Sequence, residues 1–506
     1  MKKRVIATLM AGVLSAGMLT GCGNGGSEAS GAASASQTAA EKSQSQESEA
    51  SAAEDNGETV TVKWCVPGDR VEDHDLVMED LNKKLKEKIN VELDLEMIPQ
   101  GEFNDKMKLA STAGEDFDLV FTANWLNSFE QNMSRDAFLP LDDLIAQYGK
   151  ELGEAVPEWL MDVAKVDGKV YAVPNQQIIA RQLGVVIQKE YAEKYGFDKT
   201  SLSDITELYP FLDQIVENEP EMFVVDYRVG ARWEDVYENV VGEYVFIDKN
   251  DPEAALVPAT TAMEEELRMN NEWYKKGYIR KDIATVTDNS ADVKANRYVC
   301  TLGAYKPGWD AEFTQRQGVE YIAVPIEGAY VKANSGSETM TAINVNSKNP
   351  EAAMKLLNLV YTDKEIFNEL LFGMEGVHYN MADAAHAEAV ADSKYNYSAY
   401  AWKFGNQFNA YYVPGQADGL WEATDKLNNE AQVSVLRGFV FNPENVQSEM
   451  AQLDAVNKEF LRGQYTAEDI DKYIADRNAK LEQAGLNTVM EEVQKQIDEW
   501  KAASAQ

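Results

Sequence analysis

Val60-Thr61-Val62-Lys63-Trp64 alternates apolar and polar side chains and runs into Pro67-Gly68-Asp69, the pattern of a strand entering a turn. Just beyond it, Val77, Leu81, Leu85 and Ile89 recur as one apolar face of a helix. Val91-Glu92-Leu93-Asp94-Leu95-Glu96-Met97 then alternates again. A second helix, Phe103 to Ala113, is stopped by Gly114, and Asp118-Leu119-Val120-Phe121 is a short continuous apolar run of the kind buried on both faces of a sheet. The order β-α-β-α-β predicts an α/β body with a mainly parallel sheet.

Working outward toward the C-terminus, the mixed pattern continues. Leu144, Ile145 and Tyr148 mark a helix, and Gly168 to Pro174 reads as a turn into a strand. Leu183 to Gln188 is a strand feeding a helix from Lys189 to Tyr195, and Arg297 to Leu302 is a strand ahead of the aromatic turn Ala304-Tyr305-Lys306-Pro307-Gly308-Trp309. Thr362-Asp363-Lys364-Glu365 offers a capping box with Thr362 as the cap. Val489, Val493, Ile497 and Trp500 form one stripe of a C-terminal helix. There is no internal repeat.

Toward the N-terminus, Lys2, Lys3 and Arg4 precede an apolar run from Val5 to Met18, long enough for a signal peptide and too short to span a bilayer. Its ending, Leu19-Thr20-Gly21-Cys22, resembles a bacterial lipobox. That resemblance implies that residues 1–21 are a lipoprotein signal peptide, cleaved after Gly21, with Cys22 then acylated, for example by palmitate. The expected location is the extracellular face of the cell membrane, lipid-anchored. Residues 22–58 are almost wholly Gly, Ser, Ala, Gln and Glu, which predicts a disordered tether with a reach of about 30 Å.

Composition bounds the rest. After the tether, about 450 of the 506 residues remain, more than one core usually organises, so two or more domains are expected. A formal charge of −38 without a compensating Lys/Arg stripe argues against nucleic acid and against membrane contact other than through the lipid anchor. A monomer is expected. Cys65 and Cys300 lie inside apolar runs and read as buried free thiols. His74, His378 and His386 have no partner at metal-ligand spacing, so no transition metal and no cofactor is expected. A structural calcium ion stays open, because Asp248-Lys249-Asn250-Asp251 is acidic but lacks the full loop pattern.

Four segments in order carry a resemblance: Val62 to Arg70, Gly114 to Phe121, Asp167 to Pro174, and Asn344 to Leu357. After a lipobox, this series resembles the extracellular solute-binding lipoproteins of bacterial ABC importers, a group similar to maltose-binding protein. Gly373 to Tyr379 and Trp402 to Phe408 resemble a sugar-associated subset of that group. The resemblance covers nearly all of residues 59–500. It implies a periplasmic-binding-protein-like type II fold, two α/β lobes joined by hinge crossovers with a ligand cleft between them. Carried onto this chain, lobe 1 is 59–178 plus 319–380 and lobe 2 is 180–317 plus 382–506. The crossovers then fall near Gln176 to Leu183, Gln317 to Tyr321, and Tyr379 to Asp383. The implied function is the substrate-binding component of an ABC transporter, which captures a carbohydrate, above all an oligosaccharide, by cleft closure and delivers it to membrane permeases.

In an open α/β sheet, ligands sit beyond the carboxyl ends of strands. Those positions hold Gly68, Asp69 and Arg70, then Asn124 and Trp125, then Asn175, Gln176 and Gln177. The second lobe adds Tyr305, Trp309 and Trp233, and the late segments add Glu375, His378, Trp402, Asn406 and Gln407. Rings beside amides and carboxylates suit a sugar, whose C–H face packs on an aromatic plane and whose hydroxyls pair with planar polar groups. Each candidate has a structural alternative. Trp64 reads as core, any of the other tryptophans can be core, Glu375 and His378 can support a hinge, and Asn406 and Gln407 can cap a helix. Three other functions stay open: a surface glycosidase using paired carboxylates, a bilobal sensor or adhesin, and a peptide-binding importer component. No Gly-x-Ser-x-Gly elbow, phosphate loop or zinc signature appears, so a non-enzymatic role is expected.

Overall fold

The computed structural model describes residues 57–226, 233–286 and 289–504. The signal peptide, Cys22 and nearly all of the tether lie outside the described residues. No helix among the described residues is long and apolar enough to cross a membrane.

The first five-stranded sheet has the order Val91–Ile98, Val60–Pro67, Leu119–Thr122, Met340–Ile343, Val173–Pro174. Its first three strands are parallel, with Val60 opposite Val91 and Trp64 opposite Leu119. They are joined by the helices His74–Ile89 and Gln100–Ala113 read from the sequence. Gly114 ends the second helix at φ 67°, a left-handed conformation that favours glycine, and its amide closes on the carbonyls of Ala110 and Ser111. Val77, Leu81 and Leu85 are buried in the first core, as is Trp64, which meets the edge of Phe404 at 5.6 Å.

The second five-stranded sheet has the order Gln432–Val433, Tyr321–Val331, Arg181–Gln188, Tyr298–Ala304, Phe223–Asp226. Its inner pairs are antiparallel and its outer pairs parallel. Both large sheets are therefore mixed, not mainly parallel. Strand–helix alternation fixes direction only while successive strands stay in one sheet, and here Arg181–Gln188 is reached from the first sheet without an intervening helix. A three-stranded antiparallel sheet, Leu256–Pro258, Val245–Asp248, Tyr237–Val241, packs against the C-terminal helices through Val489, Val493 and Ile497.

Two of the three expected crossovers are displaced. The first passage between the large sheets spans 175–180. The second falls at 332–339, because Tyr321–Val331 runs along Arg181–Gln188 and so belongs to the second sheet. Eleven residues can cover that long strand, whereas the four-residue Leu119–Thr122 accepts only Met340–Ile343. The third lies near 431, because Tyr395, Tyr397, Ala401, Phe404 and Ala410 pack into the first core.

One cap also differs. Thr362 ends the helix Pro350–Thr362 and donates to the Asn358 carbonyl, so Asp363 caps the next helix, accepting from the Glu365 and Ile366 amides. Cys65 and Cys300 are buried free thiols in different sheets, and burial pushes Cys65 up to about 12.

Candidate functional site

A cleft of about 340 Å³ opens where the passages between the sheets meet the strand ends. Trp125 follows Leu119–Thr122, Tyr305 follows Tyr298–Ala304, and Trp402 comes from the short turn of helix Ser398–Lys403. Gln177 to Ala180 and Glu338–Thr339, from the first two passages, complete the lining together with Arg181, Ala304 and Lys306.

The indoles are fixed before any ligand arrives. Trp125 Nε1 donates to the Glu338 carbonyl at 2.9 Å, and Trp402 Nε1 donates to the Ala399 carbonyl at 3.1 Å. Phe121 lies edge-on to both rings, at 6.2 and 6.4 Å. With their N–H groups engaged, the two indoles offer apolar ring surface. Tyr305 faces the cleft from the second sheet, and its amide donates to the Gln182 carbonyl at 2.7 Å. It can sit this close because residue 184 is glycine: a Cβ there would lie 2.7 Å from that of Tyr305. Burial raises the Tyr305 phenol above its ordinary pKa, with the Asp310 charge adding to it.

Under Trp402 lies an unusual cation. Lys403 is 2% exposed, donates to the Pro67 carbonyl at 2.7 Å, and sits 4.3 Å from the Tyr400 ring and 4.8 Å from that of Trp402. Burial brings its ammonium down to about 8, against the opposing charge of Asp69.

The passages are held by named side chains. Asn428 accepts from the Ile179 and Ala180 amides at 2.9 Å each and donates to the Gln177 carbonyl at 2.6 Å. Gln177 Nε2 reaches Thr339 Oγ1 at 3.1 Å, tying the first passage to the second. Glu238 accepts from the Ala333 amide at 2.6 Å and the Tyr330 hydroxyl at 2.8 Å. Arg437 donates to the carbonyls of Trp159 at 2.9 Å and Lys332 at 2.8 Å, and burial lowers its guanidinium to about 10.

Of the residues singled out in the sequence, the structure brings Trp125, Tyr305 and Trp402 together on the cleft. Asn124 sits beside it, donating from its amide to the Ser337 carbonyl and from its side chain to Ser337 Oγ, both at 2.9 Å. The others lie elsewhere. Asp69 is exposed beyond the first strand. Gln176 is buried, with Nε2 donating to the Ala155 carbonyl at 2.8 Å, and its carbonyl accepts the Gln407 amide at 2.9 Å. Asn406 caps its own turn through the Phe408 amide at 3.0 Å. Trp233 is core, 5.2 Å from Phe246. Trp309 is core too, 5.5 Å from Phe313, because the helix it begins turns the ring inward against Val186 and Tyr321. Glu375 is exposed on the turn after Gly373, and His378 is buried, accepting from the Met374 amide at 3.0 Å and approaching Asp73 at 3.3 Å.

The sequence carries no signal for Ile178 to Ala180, Glu338 and Thr339, since a passage between sheets has no residue signature, and none for Arg181 and Lys306 at the strand ends; Gln177 is legible only as a position after a strand. At the acidic segment, Asp248 accepts from the Asn250 amide and Asp251 from those of Glu253 and Ala255. Among the described residues, no group of three His, Cys, Asp or Glu side chains converges to hold a metal.

The model of the bacterial extracellular solute-binding protein family matches residues 73–366, more than half of the chain. The chain belongs to that family. A domain of unknown function matches residues 435–502, the C-terminal helices of this solute-binding protein. A carbohydrate ABC transporter substrate-binding protein of Streptococcus pneumoniae serotype 4 is 28% identical over 460 residues, 88% of this chain and 92% of that relative. The polygalacturonan/rhamnogalacturonan-binding protein of Bacillus subtilis (strain 168) is 22% identical over 60% of this chain and 64% of its own. Among solved structures, the N-glycan transport solute-binding protein of S. pneumoniae superposes with a TM-score of 0.73 at 26% identity, over 87% of this chain and 98% of its own. Its complexes with Man1GlcNAc and Man5GlcNAc give 0.61 and 0.57. The two-lobed, type II solute-binding fold expected from the sequence is thus the fold of this chain.

Proposed function

We propose that this protein captures an oligosaccharide between its lobes, closes on it, and delivers it to the permeases of an ABC importer, without chemical change to the sugar. The observation that carries the reading is the Trp125–Trp402 surface, opposed by Tyr305 across a floor made of the chain passages themselves. A pyranose packs its C–H face on such a surface, while Gln177, Thr339, Arg181 and Glu338 supply donors and acceptors for its hydroxyls. Because the passages form the floor, ligand contact and lobe closure involve the same backbone. The lower TM-scores against the two glycan complexes are the direction expected if a glycan rearranges the lobes.

The carbohydrate-binding relatives support this ligand class. Glu338 is the one carboxylate lining the cleft among the described residues, which supports binding over the paired-carboxylate chemistry of a glycosidase. Acylation of Cys22 would keep the receptor at the cell surface, each buried CH₂ contributing about 0.8 kcal/mol, and the tether would raise its effective concentration at the permease.

The test is a thermal-shift screen of the purified protein with oligosaccharides, followed by an assay for new reducing ends. Stabilisation of about 2.7 kcal/mol at a hundredfold excess over Kd, with the sugar recovered intact, is the expected result. New reducing ends would make the protein an enzyme.

A further inference from the structure

Arg181 stands where two cavities meet. It lines the 340 Å³ cleft and also a recess of about 20 Å³, walled in part by Lys332, Lys249, Glu234 and Tyr330. The sequence has no Lys/Arg stripe, yet the fold gathers three cations here from three separate segments of a chain whose formal charge is −38.

Two of these cations are engaged. Lys249 donates to the Glu234 carbonyl and lies 4.9 Å from the Tyr330 ring. Lys332 donates to Asn239 Oδ1 at 2.8 Å and stands 3.9 Å from the Glu234 carboxylate. Arg181 is exposed and makes no ion pair among the described residues. Burial holds the Lys332 ammonium below the usual lysine range; the Glu234, Glu238 and Glu338 carboxylates oppose that, and the Arg181 charge pushes it further down. With Lys332 facing Glu234 and Lys249 held by a carbonyl, the Arg181 guanidinium is the charge at this recess that an incoming anion would pair with.

We propose that this recess receives the carboxylate of an acidic sugar, so that the cleft selects an anionic oligosaccharide over its neutral counterpart. The proposal rests on the carbohydrate reading above and narrows it. About 20 Å³ admits a single water-sized atom and no pyranose, so the ring stays against Trp125 and Trp402 and only an oxygen of its carboxylate enters the mouth of the recess, beside Arg181. The guanidinium fork matches a carboxylate with two parallel hydrogen bonds. Glu338, the carboxylate of the main cleft, already accepts from the Gly336 amide at 2.6 Å.

Calorimetric titration of the full-length protein with trigalacturonate against galactotriose, and with 3′-sialyllactose against lactose, tests this and separates the two sources of carboxylate. At least one acidic probe should bind about tenfold tighter than its neutral match, and the advantage should shrink as salt is raised to about 0.5 M. Arg181→Gln should bring the two members of that pair together, and Arg181→Lys should keep part of the difference. Neutral probes that bind as well as the acidic ones, or an acid preference that survives Arg181→Gln, would overturn the proposal and leave the carbohydrate reading intact. No heat from any of the four probes would count against both.

Discussion

Trp125 and Trp402 hold their ring centroids 6.4 Å apart with planes inclined by 37°, although 277 residues separate them in the chain. Both belong to the first lobe, both have satisfied N–H groups, and Trp125 remains 43% exposed. Such a surface adds little to folding. Trp125→Ala or Trp402→Ala should therefore weaken oligosaccharide binding by about 2 kcal/mol, roughly thirtyfold, with little change in the thermal midpoint. Titration calorimetry beside a melting curve checks this, and a large fall in midpoint with unchanged affinity would count against it.

Trp309 should behave in the opposite way. It is 7% exposed and packed on Phe313, Val186 and Tyr321. Trp309→Ala should cost about 3 kcal/mol of stability, read as a lower urea midpoint. A stable variant with weakened binding would return this ring to the ligand site.

The contrast between these rings shows what the sequence carried. Periodicity located the strands and helices from Val60 to Phe121, because a helix face or a buried strand is a local property. It also placed Trp125 and Tyr305 beyond strand ends, on the cleft. It could not place Trp309, four residues after Tyr305, because the first turn of a helix rotates neighbouring side chains to different sides. Nor could it find Arg181 or Thr339. Thr339 lies in a passage between sheets and Arg181 opens the strand that follows one, and both positions depend on which strand Tyr321–Val331 pairs with, a long-range choice. The shifted crossovers at 332–339 and near 431 have the same origin.

Asn428 is the test of the passages as a working part. Its side chain satisfies two amides and one carbonyl of residues 177–180, and it is 4% exposed. Asn428→Ala should cost about 2–3 kcal/mol by leaving those buried groups unpaired. Asn428→Asp, which keeps the acceptor, should cost less. Urea denaturation measures both, and equal loss in the two variants would remove the passage amides from the explanation.

Lys403 gives a pH signature. Its folded pKa, about 8, lies below its unfolded value of about 10.4, so the unfolded chain binds more protons between those limits. Stability contributed at this position should rise with pH across that window, and the burial penalty should be fully present below pH 8. Compared with Lys403→Met, the wild-type chain should gain about 2 kcal/mol between pH 7 and 10. Tyrosines whose burial raises their pKa titrate in both chains and cancel in the difference. A difference that stays flat with pH would mean that the ammonium is solvated.

The most direct measurement is titration calorimetry of the wild-type protein and the Trp125→Ala/Trp402→Ala double variant against the same set of oligosaccharides and short peptides. A saturable heat from a sugar, weakened at least about a hundredfold in a double variant that still folds, is the predicted result. Saturable heat from a peptide and none from any sugar, or a sugar affinity untouched by loss of both indoles, would contradict the account.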